Sequence, residues 1–273
     1  MDYLVIKCGG SAFQELPFSF YEGIVDIQKS GDFYPVIVHG GGPLISTLLK
    51  QLHISTYFHN GLRITTEEVL DVVEMVLSGS VNKQIVRQLV AAGGKAIGIS
   101  GTDGGLLEAV PNDQEGKLGY VGKVVHVQTQ LIELYAKLGY IPVISPLGMD
   151  HTGQRYNING DTAAAAVAQS LKGNLCFVSD ISGILVQEDG IQKRVRKANP
   201  GHIETLVASG VITGGMIPKV QAAIEGLQNG VKEAVILNGL EPDQMLNYID
   251  GKDIGTKIVL DEEVTTYANL TSY

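Results

Sequence analysis

Apolar residues fall in short, unbroken runs along this chain, and between the runs they recur at helical spacing. Residues 3–7, 35–38, 96–99, 141–144, 175–178 and 234–237 are mainly apolar stretches, the first ending on Lys7, and 257–260, opening on Lys257, reads as a last one. Such runs indicate strands buried on both faces, as in a parallel sheet. Residues 18–29, 44–52, 67–77, 82–92, 129–138, 163–171, 200–209 and 218–228 place apolar positions three and four apart, which predicts helices. Residues 121–127 alternate instead, predicting a strand in a solvated hairpin. Strands alternating with helices predict an α/β fold: a three-layer αβα sandwich around a mainly parallel open sheet. No repeat, low-complexity tract or long linker interrupts it, so residues 1–273 read as one unit with two lobes.

Glycines sharpen the picture by their positions. Several of the 34 sit where a strand should give way to a helix. Ligands of open α/β sheets bind at the carboxyl ends of the strands, and backbone without a Cβ approaches an anion closely. Lys7 ends the first strand just before Gly9-Gly10; alone it is a charge beside a turn, or else an ammonium facing phosphate. His39-Gly40-Gly41-Gly42-Pro43 is either a tight connection or a cradle of exposed amides. Asn60-Gly61 is a turn, and Arg63 after it is a surface charge or a fork for a carboxylate. In Asn157-Ile158-Asn159-Gly160-Asp161, Asn159 suits a helix N-cap and Asp161 a first-turn acid, which leaves Asn157 unexplained. An aspartate there would also hold two lysines in place. Thr213 reads as a helix start before Gly214-Gly215, and Lys219 as a solvated charge or a second phosphate-facing cation. Neither the Walker A pattern nor the protein-kinase signatures occur.

Composition removes other classes. The formal net charge is −9 and no basic stripe occurs, which argues against a nucleic-acid partner. The longest apolar stretch ends at Gln169, far short of a membrane span, and residues 1–8 make no signal peptide. Cys8 and Cys176 lie far apart in apolar runs, so buried thiols in a reducing, cytoplasmic setting are expected.

Taken together and in order, these segments resemble the amino acid kinase family. The segments are Lys7-x-Gly9-Gly10, His39-Gly40-Gly41-Gly42, Asn60-Gly61-Leu62-Arg63, Asn157-x-Asn159-x-Asp161 and Gly215-Met216-x-x-Lys219. Ser100-Gly101-x-Asp103-Gly104-Gly105 and Leu77-Ser78-Gly79-x-Val81-Asn82-Lys83 are similar to further segments of it. The triple-glycine, Asn-Gly-Leu-Arg and Asn-x-Asn stretches point to the branch that phosphorylates the side-chain carboxylate of N-acetyl-L-glutamate, a step of arginine biosynthesis. The resemblance implies catalytic roles for Lys7, Lys219 and Asp161, the lysines stabilising the moving phosphoryl group and the aspartate positioning them. It implies acyl-amino-acid contacts at Gly41, Gly42, Arg63 and Asn157. It implies phosphate or ATP contacts at Gly9, Gly10, Asp180, Ser182, Gly183, Ile184, Leu185, Val211, Ile212 and Thr213. ATP is expected with Mg²⁺ held mainly by its phosphates and no dedicated protein metal site. The acyl-amino-acid lobe is expected at about 1–172 and the nucleotide lobe at about 173–273. Gly160 departs from the alanine usual there.

Arginine-inhibited hexamers of this family carry an extra helix before the first strand. Here the strand begins almost at Met1, so a homodimer insensitive to arginine and to nitrogen-signalling partners is expected. The nearest alternatives are kinases of aspartate, glutamate, aminoadipate derivatives or carbamate. A non-catalytic nucleotide or metabolite sensor on the same scaffold is a further one.

Overall fold

The structure, a computed structural model, describes residues 1–9, 15–113, 115–188, 190–241, 243–260 and 267–269. The chain opens with β1 (Asp2–Cys8), α1 (Phe18–Ser30), β2 (Phe33–His39) and α2 (Gly42–Gln51). A small hairpin, β3 (Phe58–His59) and β4 (Leu62–Arg63), leads to α3 (Glu67–Glu74) and α4 (Asn82–Ala91). Next come β5 (Ala96–Ser100), β6 (Leu107–Pro111), β7 (Val121–Val127), α5 (Thr129–Lys137) and β8 (Ile141–Ser145). Then β9 (Leu147–Met149), β10 (Arg155–Ile158) and α6 (Gly160–Ser170) close the first half. The second half runs β11 (Asn174–Ser179), β12 (Leu185–Glu188), β13 (Ile191–Val195), β14 (Lys197–Ala198), α7 (Pro200–Ala208) and α8 (Met216–Gln228). It continues with β15 (Ala234–Asn238), α9 (Gln244–Ile249), β16 (Thr256–Ile258) and β17 (Tyr267–Asn269).

Eight strands form the central sheet in the order β14-β16-β15-β11-β1-β2-β8-β5. Every pairing in it is parallel except β15 with β16. The unbroken apolar runs thus meet helices on both faces, because successive side chains of a strand alternate sides. Along β1, Leu4, Ile6 and Cys8 join the core shared with α1, α3 and α4. Val5 joins the opposite core, with the alanines of α6 and the helices α7 and α8. The same alternation puts Lys7 on the side of Val5, facing α6. Alanines in α6 keep that helix thin where it packs against α8: a Cβ added at Gly226 would lie 3.7 Å from the Cβ of Ala165.

Two sequence readings change and a third is extended. Residues 67–77 and 82–92 are not separate helices: α3 and α4 are joined by a π-helical stretch, Met75–Val81, with helical backbone angles at both junctions. Such π turns insert an extra residue, which blurs the apolar period that sequence reading depends on. The alternating strand at 121–127 sits in a hairpin with β6 and keeps Lys123, Val125 and His126 exposed, as expected; in addition β6, β7, β9 and β10 close on one another into a small barrel. Thr213 does not begin a helix. Its carbonyl accepts from Met216 in a turn, and α8 starts at Met216 with Gly215 as cap.

Candidate active site

An ionic triad sits at the carboxyl end of β1. Asn159 follows β10 and caps α6, its side-chain oxygen accepting from the backbone N–H of Asp161 at 2.8 Å and of Thr162 at 3.2 Å. The cap fixes Asp161 in the first turn of α6, beneath Lys7. Lys7 Nζ lies 2.8 Å from Asp161 Oδ1, and Lys219 Nζ, from the first turn of α8, lies 3.8 Å from Oδ2. Lys219 also donates to the carbonyl of Gly215 at 3.1 Å. Lys7 and Asp161 are each only 5% exposed. Two ammonium groups against the one carboxylate of Asp161 leave the triad itself positive, with Asp180 the next charge acting on Lys219. The Lys219 ammonium is held below its usual lysine value, first by burial and then by the charge of Lys7.

Two clefts meet at this triad. One, of about 380 Å³, is lined by Lys7, Gly41, Gly42, Arg63, Asn157 and Asp161 among others. The other, of about 280 Å³, is lined by Gly9, Asp180, Thr213, Gly215 and Lys219. The structure therefore gathers the expected acyl-amino-acid residues on one side and part of the nucleotide set on the other.

Arg63 is the most informative residue of the larger cleft. It is 7% exposed, and its guanidinium donates to Thr56 Oγ1 at 2.8 Å, Ser46 Oγ at 2.7 Å and the Gly42 carbonyl at 3.2 Å. It also lies 4.7 Å over the ring of Phe58. All these partners are neutral, and among the described residues no carboxylate lies within ion-pair distance of it. Burial alone pulls its pKa below the usual arginine value. A buried cation held only by neutral acceptors carries a large desolvation penalty, which an anionic ligand relieves. Asn157 faces the same space. Its Nδ2 donates to Thr65 Oγ1 at 3.1 Å, and the fully buried Thr65 hydroxyl donates to the Arg63 carbonyl at 2.8 Å.

Gly41 is required by close approach: a Cβ there would stand 2.7 Å from Leu77 Cδ2 in the π-helical stretch. Pro43 follows in the first turn of α2, where its missing N–H would have had no helical partner, and Gly40, Gly41 and Gly42 line the cleft at that helix start. Gly160, where the resemblance has alanine, is tightly packed: a Cβ would lie 3.3 Å from the His39 carbonyl and 3.4 Å from Lys7 Cε.

Other expected residues are placed elsewhere. Gly10 lies outside the described residues. Ile184 and Ile212 are 2% exposed and belong to the core. Leu185 and Val211 line a separate open hollow with Leu206. Ser182 Oγ donates to Glu241 at 2.5 Å, and Gly183, at φ 109°, packs against Thr256. Sequence reading missed Ser46, Thr56 and Thr65, which orient Arg63 and Asn157. Only Ser46, one helical turn beyond Gly42, had any positional signal.

Known proteins match this chain over most of its length. Residues 2–238 match the family model described as the amino acid kinase family. A protein of Oceanobacillus iheyensis described as acetylglutamate kinase is 44% identical over 264 residues, covering 97% of this chain and 99% of the relative. One of Geobacillus stearothermophilus with the same description is 53% identical over 237 residues, covering 86% and 90%. The crystal structure of smu.665 from Streptococcus mutans superposes with a TM-score of 0.82 at 31% identity, covering 95% of this chain and 99% of that one. On sequence and fold alike, the chain belongs to the amino acid kinase family.

Proposed function

We propose that this protein transfers the γ-phosphoryl group of ATP to the side-chain carboxylate of N-acetyl-L-glutamate, forming the acyl phosphate used in arginine biosynthesis. The observation that carries this reading is the buried Arg63, with no anionic partner among the described residues, in the same cleft as Lys7 and Asp161 of the triad. Arg63 takes the α-carboxylate by its planar fork, with Asn157 beside it. The side-chain carboxylate then reaches toward Lys7 and the turn at Gly41 and Gly42. ATP occupies the side of Gly9, Asp180, Thr213 and Lys219, with its γ-phosphoryl between the two lysines.

The nucleophile is a carboxylate, with an ordinary pKa of about 4.3, so it is ionised at neutral pH and no general base is needed. The obstacle is repulsion between an anion and a polyanion. Lys7, Lys219 and the backbone N–H groups of the glycine turn offset it, and Asp161 keeps both ammoniums aimed at the transferring group. Magnesium would ride on the nucleotide phosphates and supply further charge neutralisation. Asp161 is engaged by both lysines, and Asp180 is the carboxylate lining the nucleotide side. In this reading residues 1–172 hold the amino acid, residues 173–273 hold the nucleotide, and the enzyme works as a homodimer.

The test is ATP consumption with hydroxylamine trapping of the acyl phosphate. The panel is N-acetylglutamate, glutamate, aspartate, N-acetylaspartate and an aminoadipate derivative. Preference for N-acetylglutamate is expected. Turnover only on another acid would reassign the Arg63 and Asn157 cleft, and ATP binding without turnover would sink the kinase reading.

A further inference from the structure

His39 and Asn82 lie outside both clefts, yet each is completely buried and polar, at 0% exposure. Both come from segments whose role in the site is otherwise unexplained. His39 ends β2 immediately before the glycine turn, and Asn82 is the first residue of α4, straight after the π-helical stretch.

The hydrogen bonds around them favour one proton arrangement. Asn82 Oδ1 accepts from the ammonium of Lys83 at 3.0 Å, and Lys83 also donates to the Gly98 carbonyl at 2.9 Å. Since an ammonium only donates, the other end of the Asn82 amide is Nδ2. That group faces the carbonyls of Val143 at 2.8 Å and Ile99 at 3.3 Å, and His39 Nε2 at 3.3 Å. Nδ2 has two protons for these three acceptors, so Nε2 shares one of them with a carbonyl; an Nε2–H would meet only amide protons there, which favours Nε2 as an acceptor. A neutral imidazole accepting at one nitrogen carries its proton on the other. His39 Nδ1 lies 3.2 Å from the carbonyl of Gly40, which can only accept. Both ends of the ring therefore favour the same tautomer.

We infer that Lys83, Asn82 and His39 form a positioning relay that pins the Gly40 carbonyl and so sets the turn whose glycines face the substrate. The relay spans the sheet ends of β2, β8 and β5 and stops at the first residue of that turn. On the other side of Gly40, its N–H donates to the Cys8 carbonyl at 3.0 Å, next to Lys7. With both backbone groups held, Gly41 and Gly42 have one orientation toward the cleft. Gly98 admits the relay: a Cβ there would stand 1.8 Å from Asn82 Oδ1. Burial also drives the His39 pKa down to about 4, which keeps the ring neutral through the physiological range.

The inference rests on the kinase reading for its consequence but not for its geometry, so the tests separate the two. Long-range proton–nitrogen correlation on ¹⁵N-histidine-labelled wild-type protein should show His39 neutral with the proton on Nδ1. A proton on Nε2 overturns the relay, whatever the activity. Among variants, asparagine places its amide N–H where Nδ1 stands, and glutamine places it where Nε2 stands. His39→Gln and His39→Ala are expected to lower kcat by about ten-fold or more through misplacement of the turn. His39→Asn should restore most of kcat, although it loses the contact to Asn82. If His39→Asn and His39→Gln lose kcat equally, or only thermal stability changes, the positioning role is wrong. If neither variant folds, the wild-type tautomer decides. A wild type inactive on every acid would defeat the kinase reading and leave the tautomer to judge the relay.

Discussion

Lys7 and Lys219 look alike in sequence, but the structure gives them different burdens. Lys7 is locked to Asp161 in a buried pair, whereas Lys219 stands 3.8 Å away with a second partner. Replacing either lysine by alanine should lower kcat about a hundred-fold, the size of a lost electrostatic donor. Only Lys7→Ala should also lose stability, up to about 3 kcal/mol, because it strips the nearer partner from a buried carboxylate. Steady-state kinetics beside thermal melts checks both, and equal melting points for the two variants would contradict the asymmetry. Arg63→Ala should raise KM for the acyl amino acid and leave KM for ATP nearly unchanged; a change confined to ATP would place Arg63 on the wrong side. His39 makes a separate prediction about acid. Its pKa is about 4 when folded, against 6.5 ordinarily, so between these values the unfolded chain binds the extra proton. Its contribution to stability is whole above 6.5 and is lost progressively as pH falls toward 4. His39→Asn should flatten that decline in a series of melts across this range, and an unchanged slope would count against it. At this scale the sequence showed the cations and glycines plainly, because strand ends and turn residues announce themselves locally. It did not show Thr56 and Thr65, whose roles come from side chains brought near only by the fold.

Between residues and the whole lies the helical run from α3 through the π-helical stretch to α4. Its middle sets Leu77 against Gly41, and its next residue, Asn82, reaches across the strand ends to His39. One element thus supports the glycine turn from an apolar side and from a polar side. Gly98→Ala, in β5 and outside both clefts, should therefore act at a distance. Overpacking of this kind costs about 1–3 kcal/mol, and displacement of Asn82 should lower kcat as well. A melt and a turnover measurement on the same preparation check it; lost stability with full kcat would confine Gly98 to packing. The long strands and helices were legible because their apolar periods are unambiguous. The two- and three-residue strands β3, β4, β9 and β14 carry too few positions for a period, whereas β16 was expected at 257–260. The antiparallel β12–β13 pair alternates too weakly to be seen. Residues 67–92 were split in two because a π turn shifts the period without breaking the helix.

For the whole molecule, the sheet order matters more than any single contact. The strands of the first half, β1, β2, β8 and β5, lie together, and those of the second half continue from β11 outward. The seam is the β1–β11 pairing, which joins Leu4 to Asn174 and Lys7 to Phe177. Lys7 stands on one bank of that seam and Lys219 belongs to the other half, so the triad forms only when the halves are joined. This explains why the parts of the site were legible as separate motifs while their convergence was not. Among the described residues, no helix is long and apolar enough to cross a membrane.

The seam also sets a problem in time. The backbone groups of β1 that face β11 have no partner until residues 174–179 arrive, and an unpaired edge of apolar residues is a template for wrong pairing. Closing so distant a contact is slow compared with the local pairing of β1 with β2. During refolding, pulsed hydrogen exchange should find the amides of β2 and β8 protected before those of β11 and β15. Simultaneous protection would mean that the two halves fold as one. If the order holds, the Lys7–Asp161–Lys219 cluster is the last thing the chain acquires, and a growing chain carries a sticky half-sheet until then.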